Sequence, residues 1–167
     1  MNRAISRRGL MGSALAAGAS ALLPGARLAG AIPLPTMLTA APATVPLIGG
    51  EWPDTRVWAY NGVVPGQEIR VRQGETVRVI ASNGLEQPTT VHWHGIRLPN
   101  AMDGVPDLTQ KAIPPGGDFM YEFEAVDAGS FWYHPHVNST EQQGRGLAGA
   151  LIVEEAEPVR VDRDVTW

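Results

Sequence analysis

Residues 69–80, Ile69-Arg70-Val71-Arg72-Gln73-Gly74-Glu75-Thr76-Val77-Arg78-Val79-Ile80, alternate apolar and polar side chains on both sides of a Gln-Gly turn. Side chains of a β-strand point to opposite faces in turn. A period of two that resumes after a glycine therefore marks two half-buried strands joined by a turn. The same reading extends outward. Val57–Tyr60 precede the turn pair Asn61-Gly62 and the run Val63-Val64-Pro65-Gly66, and further strands are expected over residues 89–94, 119–124, 129–134 and 147–153. Turn signals separate these segments at intervals of about ten residues, the spacing of a sandwich or small barrel. No window carries the period of a long amphipathic helix, and residues 142–147 leave room for one short helical turn. Residues 161–167 read as the start of another strand.

The chain has 167 residues, enough for one domain or one domain with an appendage. It is 44% hydrophobic and 18% charged, which fits neither a disordered polar chain nor a membrane bundle. Glycine (19) and proline (14) are abundant, as short strands joined by many turns require. There is no cysteine, so this chain can hold no disulfide, thiolate-zinc knot, iron–sulfur cluster or thiolate-dependent blue-copper centre. The net charge is −4 with no basic run, which argues against a nucleic-acid partner.

Residues 1–31 have a basic start, an apolar stretch from Gly9 to Leu23 and a small-residue site, Ala29-Gly30-Ala31. This is the three-part layout of an export signal, with an apolar core too short for a comfortable membrane span. Arg7-Arg8 after Ser6 is similar to the twin-arginine motif, although Leu10 stands where that motif usually has Phe. An ordinary secretory signal with a chance arginine pair is the other reading. Both place the mature chain in the periplasm or otherwise outside the cytoplasm. Four of the basic residues and no acid lie in this leader, so the remainder carries a net charge of −8. The expected organisation is a twin-arginine-type signal over 1–31, an extended arm over 32–50 that ends in a strand, an all-β domain over 51–157, and the start of a linker or next domain over 158–167.

All four histidines, His92, His94, His134 and His136, fall in two His-x-His pairs within strand-like segments, HWHG and HPH. In a strand, residues i and i+2 share a face about 6.6 Å apart, so each pair aims two imidazoles the same way while Trp93 points to the other side. Two such strands side by side would make a concave patch of four nitrogen donors, suited to copper, zinc, iron or nickel. A lone histidine on a strand is better explained as structural, but two pairs with no histidine elsewhere point to a metal. A zinc hydrolase of H-x-H-x-D-H type would need Asp and His where Ile96 and Arg97 stand. A cupin-type site would need a Glu shortly after the first pair, and HWHGIRLPNAMDG has none.

Taken together, YNGVVPGQEIRVRQGETVRV (60–79), PTTVHWHGI (88–96), MDGVPDLTQ (102–110), IPPGGDFMYEFE (113–124), GSFWYHPHV (129–137) and GLAGALIVE (146–154) resemble the multicopper oxidases, a laccase-like family built of cupredoxin domains. HWHG and WYHPH match the first two of the family's four copper motifs. The resemblance implies an all-β, cupredoxin-like Greek-key sandwich or barrel. It implies copper as the cofactor, with His92 on the type-2 copper and His94, His134 and His136 on the type-3 pair of a trinuclear cluster. It also implies that Asp103 is the acid the family often keeps near that cluster to manage protons. The other reading of Asp103 is a turn residue before Gly104. Trp93, Phe131, Trp132 and Tyr133 are expected as core or as walls around the metal rather than as a redox relay.

The family's remaining two motifs, including its cysteine-bearing electron-accepting centre, are not in this sequence. The expectation is therefore an N-terminal cupredoxin domain that supplies half of the cluster, with further C-terminal cupredoxin domains, dioxygen and an unidentified reducing substrate as partners. This chain alone is not expected to turn over. The alternatives are a stand-alone periplasmic copper-binding or handover module without oxidase activity, and a structural cupredoxin that keeps its ligands.

Overall fold

Strand β4 (Thr76–Asn83) buries Val77, Val79, Ala81 and Asn83 and turns Arg78, Ile80 and Ser82 outward, as its alternating sequence requires. The computed structural model describes residues 34–166. The export signal read over residues 1–31 lies outside the described residues, as do residues 32, 33 and 167. Before β4 come β1 (Thr36–Val45), β2 (Thr55–Tyr60) and β3 (Gly66–Arg72). After it come β5 (His92–His94), a 3-10 turn over Asn100–Met102, β6 (Asp118–Glu124), β7 (Gly129–His134), the short helix α1 (Ser139–Gly144) and β8 (Gly149–Glu154).

The strands form two four-stranded sheets, one ordered β2-β1-β4-β6 and the other β3-β8-β7-β5. β1 runs parallel to β4 and β3 parallel to β8, and the other pairings are antiparallel. Non-sequential neighbours of this kind require crossovers between the layers, which a Greek-key sandwich supplies. The two inner faces meet in one core. Leu38, Val77, Val79, Tyr121 and Phe123 come from the first sheet, and Ile69, Trp93, Tyr133, Leu151 and Val153 from the second. Trp93 is completely buried, with its ring 5.2 Å from Phe123, 5.6 Å from Tyr121 and 5.8 Å from Tyr133. A side chain of that size buries more apolar surface than any other in the core.

Three local readings shift in the structure. Residues 36–45 form a full strand seated between β2 and β4, although their Ala, Thr and Pro content hides the alternation. The helical turn lies at Ser139–Gly144, three residues before the expected 142–147. Residues 161–166 form no strand. Their side chains rather than their backbone hold them against β3: Arg70 pairs with Asp164 at 2.8 Å, and Thr166 Oγ1 donates to Glu68 at 2.6 Å.

One close approach fixes the second sheet. Tyr133 on β7 donates its hydroxyl to the carbonyl of Gln67 on β3 at 2.7 Å, so its ring must pass over β8 between them. Gly149 on β8 stands directly opposite Tyr133, and a Cβ there would collide with the phenol oxygen and ring carbons. Gly149→Ala is expected to lower the stability of the chain by about 1–3 kcal/mol, the cost of overpacking a filled core, measured as a drop in the denaturant midpoint. An unchanged midpoint would show that the Tyr133 ring can move aside freely.

Candidate metal centre

β5 and β7 pair at the edge of the second sheet with His92 opposite His134, Trp93 opposite Tyr133 and His94 opposite Trp132. Alternation places Trp93 and Tyr133 in the core. His92, His94, Trp132 and His134 then form a two-by-two array on the opposite face. His136 lies two residues past the end of β7. Its backbone N–H donates to Thr90 Oγ1 at 3.1 Å, and its ring comes to 5.0 Å from that of His92.

Ring nitrogens of His92, His94 and His134 all lie within 4.8 Å of one another, close enough to share an ion. His94 Nδ1 and His134 Nε2 are 3.2 Å apart. Two nitrogen ligands about 2.0–2.1 Å from one ion, at a near-tetrahedral angle, stand about 3.3 Å apart. The observed separation therefore fits a shared ion. For His92 the backbone settles which nitrogen is free. His92 Nδ1 donates to the carbonyl of Asp103 at 2.7 Å, with the Asp103 carboxylate oxygen also within 3.3 Å, and this leaves Nε2 as a bare donor atom. His134 Nδ1 lies 3.0 Å from the Pro135 carbonyl and 2.9 Å from the side-chain amide nitrogen of Gln143. Protonated, it donates to the carbonyl; bare, it accepts from the amide. His134 is buried, and burial lowers its pKa below 6.5; the Pro135 carbonyl pulls the other way, and the three neighbouring imidazoles add to the lowering. The ring is thus held in the neutral form that a metal requires. The donor set fits a late first-row ion such as copper.

The loops that carry these rings are pinned from below. Buried Gln142 of α1 accepts from Thr89 Oγ1 at 2.7 Å and donates to the Pro88 carbonyl at 2.9 Å. The Val91 N–H donates to the Tyr121 hydroxyl at 2.9 Å. Gly104 has φ +72°, and any Cβ there would run into the Val91 carbonyl, so the loop bearing Asp103 presses directly on the start of β5. At the other end, Arg97 grips Asp127 with two hydrogen bonds of 2.7 and 2.6 Å, which holds the carboxyl of Asp127 below its usual range.

The structure thus gathers His92, His94 and His134, sets His136 beside His92, and places Asp103 against His92. Phe131 is half-buried beside the core, and Trp132 stands among the histidines themselves. Gln142 and Gln143 escape sequence reasoning because two adjacent glutamines in a short helix carry no periodic signal.

An all-β sandwich with a histidine array on one edge defines a β-domain with a candidate metal centre, and comparison with known proteins makes the class specific. A family model described as multicopper oxidase matches residues 42–158. The chain belongs to the multicopper oxidase family. It is 44% identical over 100 residues to copper resistance protein A of Pseudomonas syringae pv. tomato, covering 60% of this chain and 16% of that protein. It is 41% identical over 128 residues to multicopper oxidase MmcO of Mycobacterium tuberculosis, covering 76% and 24%. Among solved structures, a multi-copper oxidase from Pseudomonas thermotolerans shares 52% identity at a TM-score of 0.70, covering 75% of this chain and 30% of that one. The chain therefore spans only about a sixth to a quarter of the length of these two curated relatives.

Gln142→Leu removes partners from the buried Thr89 hydroxyl and Pro88 carbonyl. It is expected to cost about 1–3 kcal/mol of stability and to loosen β5, read as faster amide exchange at His92–His94. Wild-type exchange rates in that variant would mean that the loop is held elsewhere.

Proposed function

We propose that this chain is the N-terminal copper-binding domain of a multicopper oxidase and contributes half the histidines of a trinuclear copper site. The single observation that carries the reading is the 3.2 Å approach of His94 Nδ1 to His134 Nε2, on a face shared with His92. In this reading His92 serves a type-2 ion through Nε2, while His94, His134 and His136 serve a type-3 pair. Bound copper would supply one-electron chemistry and the four-electron reduction of dioxygen to water. The chain's own residues orient the ligands, and at His92 they fix which nitrogen stays bare. Asp103 holds His92 through its carbonyl and keeps a carboxylate beside the ring, where it can take up and release protons.

The remaining ligands and the electron-accepting centre would come from further cupredoxin domains, and the reducing substrate would bind there. A copper-handling role is in keeping with the names of the copper resistance relatives, and export is in keeping with the leader-like residues 1–31. A stand-alone copper-handover module would use the same ligands. An open reading frame that continues past Trp167 into an H-C-H motif favours the oxidase over it.

Copper titration of the chain at neutral pH is expected to show binding that is lost when His94→Ala and His134→Ala are combined. Retained stoichiometry and affinity in that variant would contradict the ligand assignment. Protons compete for imidazole, so affinity should fall as pH drops, with the contribution of His134, whose pKa burial lowers, lost only below the 6.5 of a free imidazole. Affinity that stays flat down to about pH 5 would instead indicate carboxylate ligands.

A further inference from the structure

Trp132 fills the fourth corner of the array in which the other three corners are histidines. Its indole is nearly parallel to two of them. It lies 4.0 Å from the His134 ring and 5.0 Å from the His94 ring, at 29° to each. His92, by contrast, meets both of these rings edge-on, at 73° and 75°. The two imidazoles stacked on the indole are the pair whose nitrogens converge to 3.2 Å. They belong to different strands, and His94 is largely exposed, so no core packing fixes its ring rotation. Its one stacked neighbour is Trp132, with the His92 and His134 rings meeting it edge-on and tilted.

Trp132 also remains 38% exposed, so its indole lies open on the site face rather than locked in the core. An imidazole bound to a cation is an electron-poor ring, and an indole face is the best side chain for covering one. We propose that Trp132 is a positioning residue. Its indole brackets the His94 and His134 rings so that Nδ1 and Nε2 face a single ion, and it stabilises these rings further once they carry a share of the metal's charge. This inference rests on the metal reading above, and it adds a residue that touches no ion.

The test uses the full chain with two variants, Trp132→Leu and Trp132→Phe, and copper(II) or zinc(II) as the probe. In the metal-free chain at about pH 8, where free imidazole is neutral, loss of the indole should move the ring-proton NMR signals of His94 and His134. Those of His136 should stay in place. Copper(II) affinity should fall about three- to thirtyfold in Trp132→Leu, with an altered electron-paramagnetic-resonance spectrum. Trp132→Phe should recover most of both, because a phenyl face can still stack.

Both variants should keep the wild-type thermal midpoint within a few degrees, since Trp132 lies outside the core. Unmoved His94 and His134 signals, or equal copper affinity and spectrum in wild type and Trp132→Leu, would overturn the proposal while leaving the metal reading intact. A wild-type chain that binds neither probe ion would overturn both.

Discussion

The β5–β7 register is the constraint on which the site depends. With His92 opposite His134 and His94 opposite Trp132, alternation sends three imidazoles and one indole to the same face. A slip of one residue would turn the histidines toward Tyr121 and Phe123 and expel Trp93 into solvent. That alternative is prohibitive, because Trp93 and Tyr133 are fully buried and occupy the centre of the sandwich. The core thus selects the register, and the register builds the site. β5 has only three residues, so hydrogen bonds within the ladder could not hold it alone. Gly104 and Gln142 press on its beginning, and the Arg97–Asp127 pair closes its end. That pair is exposed and adds little to stability, but its two-pronged geometry fixes position.

The division of labour between backbone and side chains follows from the chemistry of imidazole. A neutral histidine can offer a metal only one nitrogen, and the partner of the other nitrogen decides which. For His92 the decision is made by the Asp103 carbonyl; for His134 it rests with the Pro135 carbonyl and Gln143. These partners sit in loops and a short helix rather than in strands. Strands set the spacing of the rings, and the irregular segments supply the partners of Nδ1 in His92 and His134.

Much of this was legible in the sequence. Alternation at residues 69–80 announced the strands that became β3 and β4, and the two His-x-His pairs announced the face shared by His92, His94 and His134, although His136 falls past the end of β7 and not in the array. The resemblance to multicopper oxidases agrees with the family to which the chain belongs. β1 was harder to read because its buried positions are Leu38 and Ala40, set among threonine, alanine and proline that give little contrast. Its place between β2 and β4 comes from non-local pairing, which no local pattern encodes. The same limit hid the structural work of Gln142, whose partners lie more than fifty residues away. Trp132 was legible as an aromatic near the metal motif. Only the cross-strand register shows that it stacks on two of the rings.

Anomalous diffraction at the copper edge from crystals of the copper-loaded chain tests the central claim most directly. The account places an anomalous peak between His94 Nδ1 and His134 Nε2, about 2 Å from each, with the imidazoles of His92 and His136 turned toward the same cavity. Copper found only on surface carboxylates or methionines, with these rings pointing apart, would contradict it.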